Sequence, residues 1–290
     1  MILPRSRYAR TSLVLSILIG LVLLTLHVLD ILGQYRAYEY IFWTPESPVI
    51  FRSVVTAADQ QLEPGDKIVV IAKLEKEDTE WVKVFLPDWQ RAIYIVDPSD
   101  TTPKDALTTP MNKGHEAMAY LTFLVDNYDT LPSTIAFLHS HRDGFLRAWH
   151  TDAPLHDNVY AMQHLQLDFV HHSGYVNLRC KWNPGCLRSH SGIIHVTLKI
   201  WQAVFANTST PPPSLDPQTA EQIVPFPMPS KIGVACCAQF VVSREQVYKR
   251  PREDYVIFRD WVADTELNDA HSGRVMEYLW HIIFAADAVQ

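Results

Sequence analysis

Cysteine is scarce in this chain, and its scarcity argues against a disulfide-built scaffold: Cys180, Cys186, Cys236 and Cys237 occur at spacings that match no standard zinc site. Cys180 and Cys186 flank a Pro-Gly turn and could close a small loop in an oxidising compartment. Cys236 and Cys237 are adjacent within an apolar run and read as buried thiols. Basic charge is also in deficit. With 25 Lys+Arg against 32 Asp+Glu, the formal net charge of −7 argues against bulk affinity for nucleic acid. The chain has no Walker loop, no glycine-rich dinucleotide fingerprint and no G-x-S-x-G elbow, so ATPase, Rossmann dehydrogenase and serine hydrolase readings lose weight. No internal repeat is visible.

What is present begins with a long hydrophobic run. Leu13 to Leu29 is apolar apart from Ser16, Thr25 and His27, and carries no full charge before Asp30. Such a run can span a bilayer as a helix. Arg5, Arg7 and Arg10 precede it, so the positive-inside tendency puts residues 1–10 in the cytoplasm and the bulk of the chain in the lumen of the Golgi or endoplasmic reticulum. A cleaved signal peptide is the rival, but no small-x-small cleavage pattern follows. The expected organisation is a tail (1–10), a signal anchor (11–30), a proline-containing stem (31–66) and one globular domain (67–290). The full chain of 290 residues, 48% of them hydrophobic, is long enough for a sizeable core.

Within that domain Ile68 to Ala72 and Arg91 to Val96 read as buried strands, with a short helical turn around Trp81 between them. The stretch from Asp97 to Pro110 reads as loop. Ala117, Tyr120, Leu121, Leu124 and Val125 then paint one apolar helical stripe, which Asn127, Asp129 and Pro132 end. Thr134 to Leu138 is an interior strand. Val159, Met162, Leu165 and Phe169 suggest one helix capped by Asp157, and His171 to Cys186 a turn-rich connector. Leu198, Trp201 and Phe205 mark another helix. Residues 208–230 form a proline-rich excursion. Val234 to Val242 reads as a strand, Ser243 and Gln246 as a capping box, Pro251 as a helix opener, and Arg274 to Ala285 as a last helix. This alternation predicts an α/β fold of three layers around a mixed or mostly parallel sheet, with an N-terminal transmembrane helix.

The strand ending at Leu138 empties into His139, His141, Arg142, Asp143, Trp149, His150 and Asp152. Ligands of open α/β sheets bind beyond the carboxyl ends of strands, so a site is expected there. Alternation along an extended segment would put His139, His141 and Asp143 on one face, where they could share a divalent ion such as manganese or magnesium; the same groups would equally line a wet cleft without metal. Asp143, Asp152 and Glu277 are the candidate catalytic acids or bases, and Glu277 would serve as well on a solvated helix face. Lys73, Glu77 and Asp78 follow the first strand, a usual place for nucleotide contacts. Lys113 and Glu116 at the head of the central helix, His150, Gln239, Arg244 and Arg274 complete the candidate substrate contacts. Arg250 and Arg252 join Arg244 and Arg274 as groups suited to neutralising a phosphate, although helix capping and surface pairing would explain most of them equally well. Asn207-Thr208-Ser209 is a glycosylation acceptor if luminal.

The segments KEDTEW (76–81), NKGHEAMAYLTFLVDNYDTLPSTIAFLHSHRDGFLRAWHTD (112–152), GYVNLRC (174–180), GVACCAQFVVSREQVYKRPREDY (233–255) and SGRVMEYLWHIIF (272–284) resemble the uncharacterised fungal family known as domain of unknown function 3431. More distantly, AQFVVSREQVYKRP followed by EYLW is similar to the carboxyl half of glycosyltransferases with the GT-A fold, where such a strand-to-helix turn borders the acceptor site. That resemblance implies an open sheet binding a nucleotide sugar near the first strand, on a membrane-anchored transferase of Golgi layout. The chain departs from it in one respect: where a GT-A enzyme carries D-x-D, this sequence reads His139-Ser140-His141-Arg142-Asp143. Two other expectations compete, an enzyme forming peptide bonds from aminoacyl-tRNA and a membrane-tethered binding module without catalysis.

Overall fold

A computed structural model of the chain describes residues 7–34, 66–144, 150–180, 195–209 and 228–290. The proposed stem beyond Gln34, Trp149, Cys186 and most of the proline-rich excursion lie outside the described residues. Helix α1, Arg7–Gln34, contains an 18-residue window, Leu13–Asp30, of mean hydropathy 2.4, long and apolar enough to cross a membrane.

Strands β1 (Lys67–Lys73), β2 (Gln90–Ile95), β3 (Leu107–Thr108), β4 (Thr134–His139), β5 (Tyr175–Asn177) and β6 (Phe240–Ser243) form one sheet in the order β3-β2-β1-β4-β6-β5. β1 pairs in parallel with β2 and β4, and β2 with β3, whereas β6 runs antiparallel to both β4 and β5. The apolar runs of β1 and β4 bury nearly every residue, as strands covered on both faces must. From β1 the chain moves outward through β2 to β3, then returns for β4 on the other side of β1. The topological switch point therefore falls between the carboxyl ends of β1 and β4.

Helices α2 (Glu80–Phe85), α4 (Asn158–Gln163) and α5 (Leu167–Ser173) cover one face, where Val69, Ile71, Ala136 and Leu138 meet Trp81, Val82, Met162 and Val170. Helices α3 (Ala117–Asp126), α6 (Leu198–Phe205), α8 (Arg252–Asp264) and α9 (Asp269–Ile283) cover the other, and the intervening α7 (Arg244–Val247) follows β6 directly. Alternating odd and even positions of β4 feed the two cores, as the period of a strand requires. The three-layer expectation is met.

Local differences have local causes. The helix expected through Phe169 breaks into α4 and α5, and Phe169 stays exposed. Asp157 caps α4 as expected, its Oδ1 accepting from Val159 N at 2.8 Å. The connector expected from His171 contains the end of α5 and all of β5. Leu107–Thr108, read as loop, is a short edge strand. The strand expected from Val234 begins only at Phe240. Ser243 Oγ accepts from Gln246 N, but the Gln246 amide donates instead to Phe284 O, so half of the capping box forms.

Candidate functional site

β4 ends at His139, and the backbone beyond it is held by groups from both flanks. Trp81 Nε1 donates to Ser140 O at 2.8 Å, and Asn158 Nδ2 donates to His141 O at 2.9 Å. Gln239, fully buried just before β6, accepts from His139 N at 2.8 Å and from Asn158 Nδ2 at 3.0 Å. Arg142 stacks 4.3 Å over the Phe85 ring and reaches Asp157 through Nε and Nη2. Buried polar groups this well satisfied give a rigid ledge.

Two pockets open beside the ledge. The larger, about 860 Å³, lies at the switch point and is lined by Leu74, Lys76, Glu77, Asp78, Trp81 and the His141–Asp143 segment. Glu77 faces His141 across 3.3 Å and also accepts from Leu74 N. Asp143 is half-exposed; partial burial and the neighbouring Asp157 raise its carboxyl above the usual range, against the opposing pull of Arg142.

The smaller pocket, about 240 Å³, is walled by His115, Glu116, His139, His150, Cys237, Gly273, Arg274 and Glu277. Gly273 makes it possible: a Cβ there would sit 2.4 Å from the His115 ring. The turn before α3 thus approaches α9 closely enough to bring Glu116 and Glu277 to one cavity. Burial, reinforced by the nearby Glu277, pushes the Glu116 carboxyl up to about 8. Burial also raises Glu277, but Arg274 at 2.5 Å and the Cys237 N–H at 2.5 Å favour its ionised form. Glu116 Oε2 lies 3.8 Å from His139 Nε2, and the Nδ1 atoms of His139 and His150 are 3.0 Å apart. Desolvation holds His139 well below its ordinary value and takes His150 down to about 4. Two neutral imidazoles therefore stand beside a carboxyl group whose proton burial helps retain, with His139 Nε2 beyond hydrogen-bond distance of Glu116.

Residues 69–290 match the model of a family described as protein of unknown function, DUF3431. The chain belongs to that family. No curated protein and no solved structure matches it.

For this DUF3431 chain the sheet sorts the expected site residues. Glu77, Asp78, His141 and Asp143 line the larger pocket; Glu116, His139, His150, Arg274 and Glu277 line the smaller. Asp152 lines neither, and its Oδ2 accepts from Cys180 N at 2.7 Å. Lys113 donates to Ala263 O and Thr265 O, clamping the carboxyl end of α8. Arg244 bonds Leu131 O at 3.3 Å, at the far end of the sheet from both pockets, because β6 runs antiparallel and its carboxyl end meets the start of β4. Arg250 is fully buried against Asp254, Ile282 O and Ile283 O, and Arg252 donates to Val125 O. Lys113, Arg250 and Arg252 thus hold helix ends, and Arg244 a carbonyl in the segment before β4. Lys73 lines neither pocket, and Gln239 is wholly engaged in the ledge.

The expected ligand set of His139, His141 and Asp143 is divided: His139 faces Glu116, His141 faces Glu77, and Asp143 lies beside Arg142. The ligand atoms that the described residues gather within 4.8 Å belong instead to Cys236, Cys237 and Glu277. Those two cysteines are joined to each other by a disulfide, which corrects the expectation of buried thiols. His115 and Cys237 went unpredicted as pocket residues; the Gly114-His115 turn ahead of Glu116 was the available signal for the first. Asn207 is exposed.

Proposed function

We propose that this protein is a membrane-anchored, glycosyltransferase-like enzyme that moves a sugar from a nucleotide-activated donor to a hydroxyl acceptor. The observation that carries this reading is the pairing of two polar pockets on one ledge at the switch point between β1 and β4. The larger has room for a nucleotide sugar and offers Lys76 and Arg142 to its phosphates. The smaller accepts the hydroxyl. Of the stretches similar to the GT-A carboxyl half, Gln239 borders the ledge and Glu277 the smaller pocket, whereas the strand-to-helix turn at Ser243–Arg244 lies at the opposite end of the sheet.

In this reading Glu116, rather than Asp143 or Glu277, takes the acceptor proton. Both oxygens of Glu277 are committed, one to Arg274 and one to Cys237 N, which suits it to orient the acceptor hydroxyl. Burial raises the affinity of the Glu116 carboxylate for a proton, which suits it to take one from a hydroxyl held in the smaller pocket. A GT-A resemblance also implies a divalent cation that would neutralise donor phosphates. Glu77, Asp78 and Asp143 supply the hard oxygen donors such an ion takes. The described residues do not gather three of them within one coordination sphere, so no step is routed through a metal.

The test is a thermal-shift survey of the full chain in detergent against uridine, guanosine and cytidine diphosphate sugars, with and without manganese. One donor class should raise the melting temperature by mass action, and Lys76→Met, at an exposed residue of the larger pocket, should weaken the shift while leaving the unliganded melting temperature unchanged. Absence of any nucleotide-dependent shift would remove the transferase reading.

A further inference from the structure

The stretch from Val234 to Gln239 has the composition of a strand, yet it departs from the sheet. Cys236 and Cys237 are bonded to each other there, and Cys237 and Ala238 take φ values of +92° and +46°. Residues with a Cβ rarely adopt such backbone. A bridge between neighbours closes almost no chain, so it lacks the loop-entropy effect by which disulfides stabilise folds. Its surroundings suggest a different role. Cys237 faces the smaller pocket, while on the other side the guanidinium of Arg179, 2% exposed, places Nη1 3.4 Å from Cys236 Sγ and 4.0 Å from Cys237 Sγ. A buried cation against a sulfur favours the thiolate, and a stabilised reduced form makes a disulfide readily reducible.

We propose that Cys236–Cys237 is an exchange-active disulfide, a thiol-reactive site in the wall of the smaller pocket that takes two electrons from low-molecular-weight thiols. A donor thiolate enters the pocket and attacks Cys237 Sγ. The sulfur–sulfur bond breaks, and its electron pair leaves on Cys236 Sγ, the sulfur nearer to Arg179. A second donor thiolate attacks the donor sulfur of the mixed disulfide, releasing the Cys237 thiolate and an oxidised donor. With protons taken from solvent, the sum is one protein disulfide and two donor thiols giving two cysteine thiols and one donor disulfide. Because the Cys237 N–H is held by Glu277 Oε1, reduction frees the backbone on which that carboxylate rests. The redox state of the pair thereby sets the shape of the pocket, whatever its substrate.

The experiment equilibrates the full-length protein, in non-ionic detergent, with glutathione buffers of graded thiol-to-disulfide ratio. Thiols are then trapped by alkylation and the peptide carrying residues 236–237 is weighed, which separates it from Cys180 and Cys186. The folded wild type should be reduced by millimolar glutathione. Arg179→Met should need a thiol-to-disulfide ratio about tenfold higher, while Arg179→Lys, which keeps the charge, should stay close to wild type. Should Arg179→Met not fold, the reduced wild-type pair is compared with exposed Cys180 for its rate of alkylation at neutral pH, where it should react faster. A bridge that resists glutathione until the protein is denatured overturns the proposal. So does an equal ratio for the Met and Lys variants, or a reduced pair slower to alkylate than Cys180.

Discussion

The Nδ1 atoms of His139 and His150 lie 3.0 Å apart, so one ring donates and the other accepts, and the contact fails if both rings are protonated. Burial already holds both below the usual imidazole value, His150 to about 4. A histidine whose folded value is depressed contributes stability above its unfolded value near 6.5, and that contribution is lost as pH falls through the window down to about 4. Urea unfolding of the protein should therefore show stability falling below pH 6.5, with each histidine contributing at most about 1.4 kcal/mol per pH unit. His150→Gln, which cannot charge, should lower that slope. An unchanged slope would separate the pair from acid sensitivity.

Glu116 gives the opposite sign. Its folded carboxyl titrates at about 8 against an ordinary 4.5, mainly through burial. A raised value means the contribution is present below 4.5 and is lost as pH rises toward 8, because ionising the buried group costs free energy. Glu116→Gln should remove this slope, at most about 1.4 kcal/mol per pH unit, and should make the protein more stable than wild type at pH 8. If Glu116 also takes the acceptor proton, the same variant loses activity by about a hundredfold or more. A variant less stable than wild type at pH 8 would show that the carboxylate is better solvated than its position implies.

Much of this arrangement was legible in the sequence wherever one periodicity dominated. The stripe from Ala117 to Val125 and the run from Thr134 to Leu138 specify α3 and β4, and β4 locates the ledge. The direction of β6 was not legible, because a four-residue buried strand carries no sign of whether it runs parallel or antiparallel. Arg244, expected among the substrate contacts, consequently lies at the opposite end of the sheet from both pockets. Lys113 was misread for a related reason: its partners, the carbonyls of Ala263 and Thr265, are about 150 residues away in the chain. Backbone acceptors leave no trace in side-chain pattern. The bridge at Cys236 was hidden by its composition, since an apolar run around two small sulfurs reads as interior strand. The division of His139 from His141 comes from the chain turning after β4, where strict alternation no longer holds.

Arg250 is a fully buried cation with several partners. It bonds Asp254 at 3.2 Å, Ile283 O at 2.6 Å and Ile282 O at 3.2 Å, while Asp254 Oδ1 accepts from Ser209 N and Oγ. Removing one partner of a buried pair leaves the other charge uncompensated, which typically costs about 3–5 kcal/mol. Arg250→Met should thus destabilise by about that amount in chemical denaturation. Arg244→Met, on the half-exposed surface, should cost less than about 1 kcal/mol. Equal losses would contradict the assignment of Arg250 to the core.

Gly174 ends α5 with φ +77° and starts β5, and its amide bonds Val170 O at 2.7 Å. An added Cβ would lie 2.0 Å from Gln246 Oε1 and 2.7 Å from its Cδ. That side chain cannot simply turn away, because its Nε2 donates to Phe284 O at 2.5 Å and so ties α7 to the carboxyl end of α9. Gly174→Ala therefore combines left-handed backbone, at about 1–3 kcal/mol, with displacement of a buried amide and loss of its bond, at about 1–3 kcal/mol more. Gln246→Ala in the same background should recover the steric part and leave the backbone part, so the double variant should be less destabilised than the sum of the two single ones. Thermal denaturation of the four proteins measures this coupling. Simple additivity would mean that the amide moves aside at little cost, and that the α7–α9 tie is weaker than its geometry indicates.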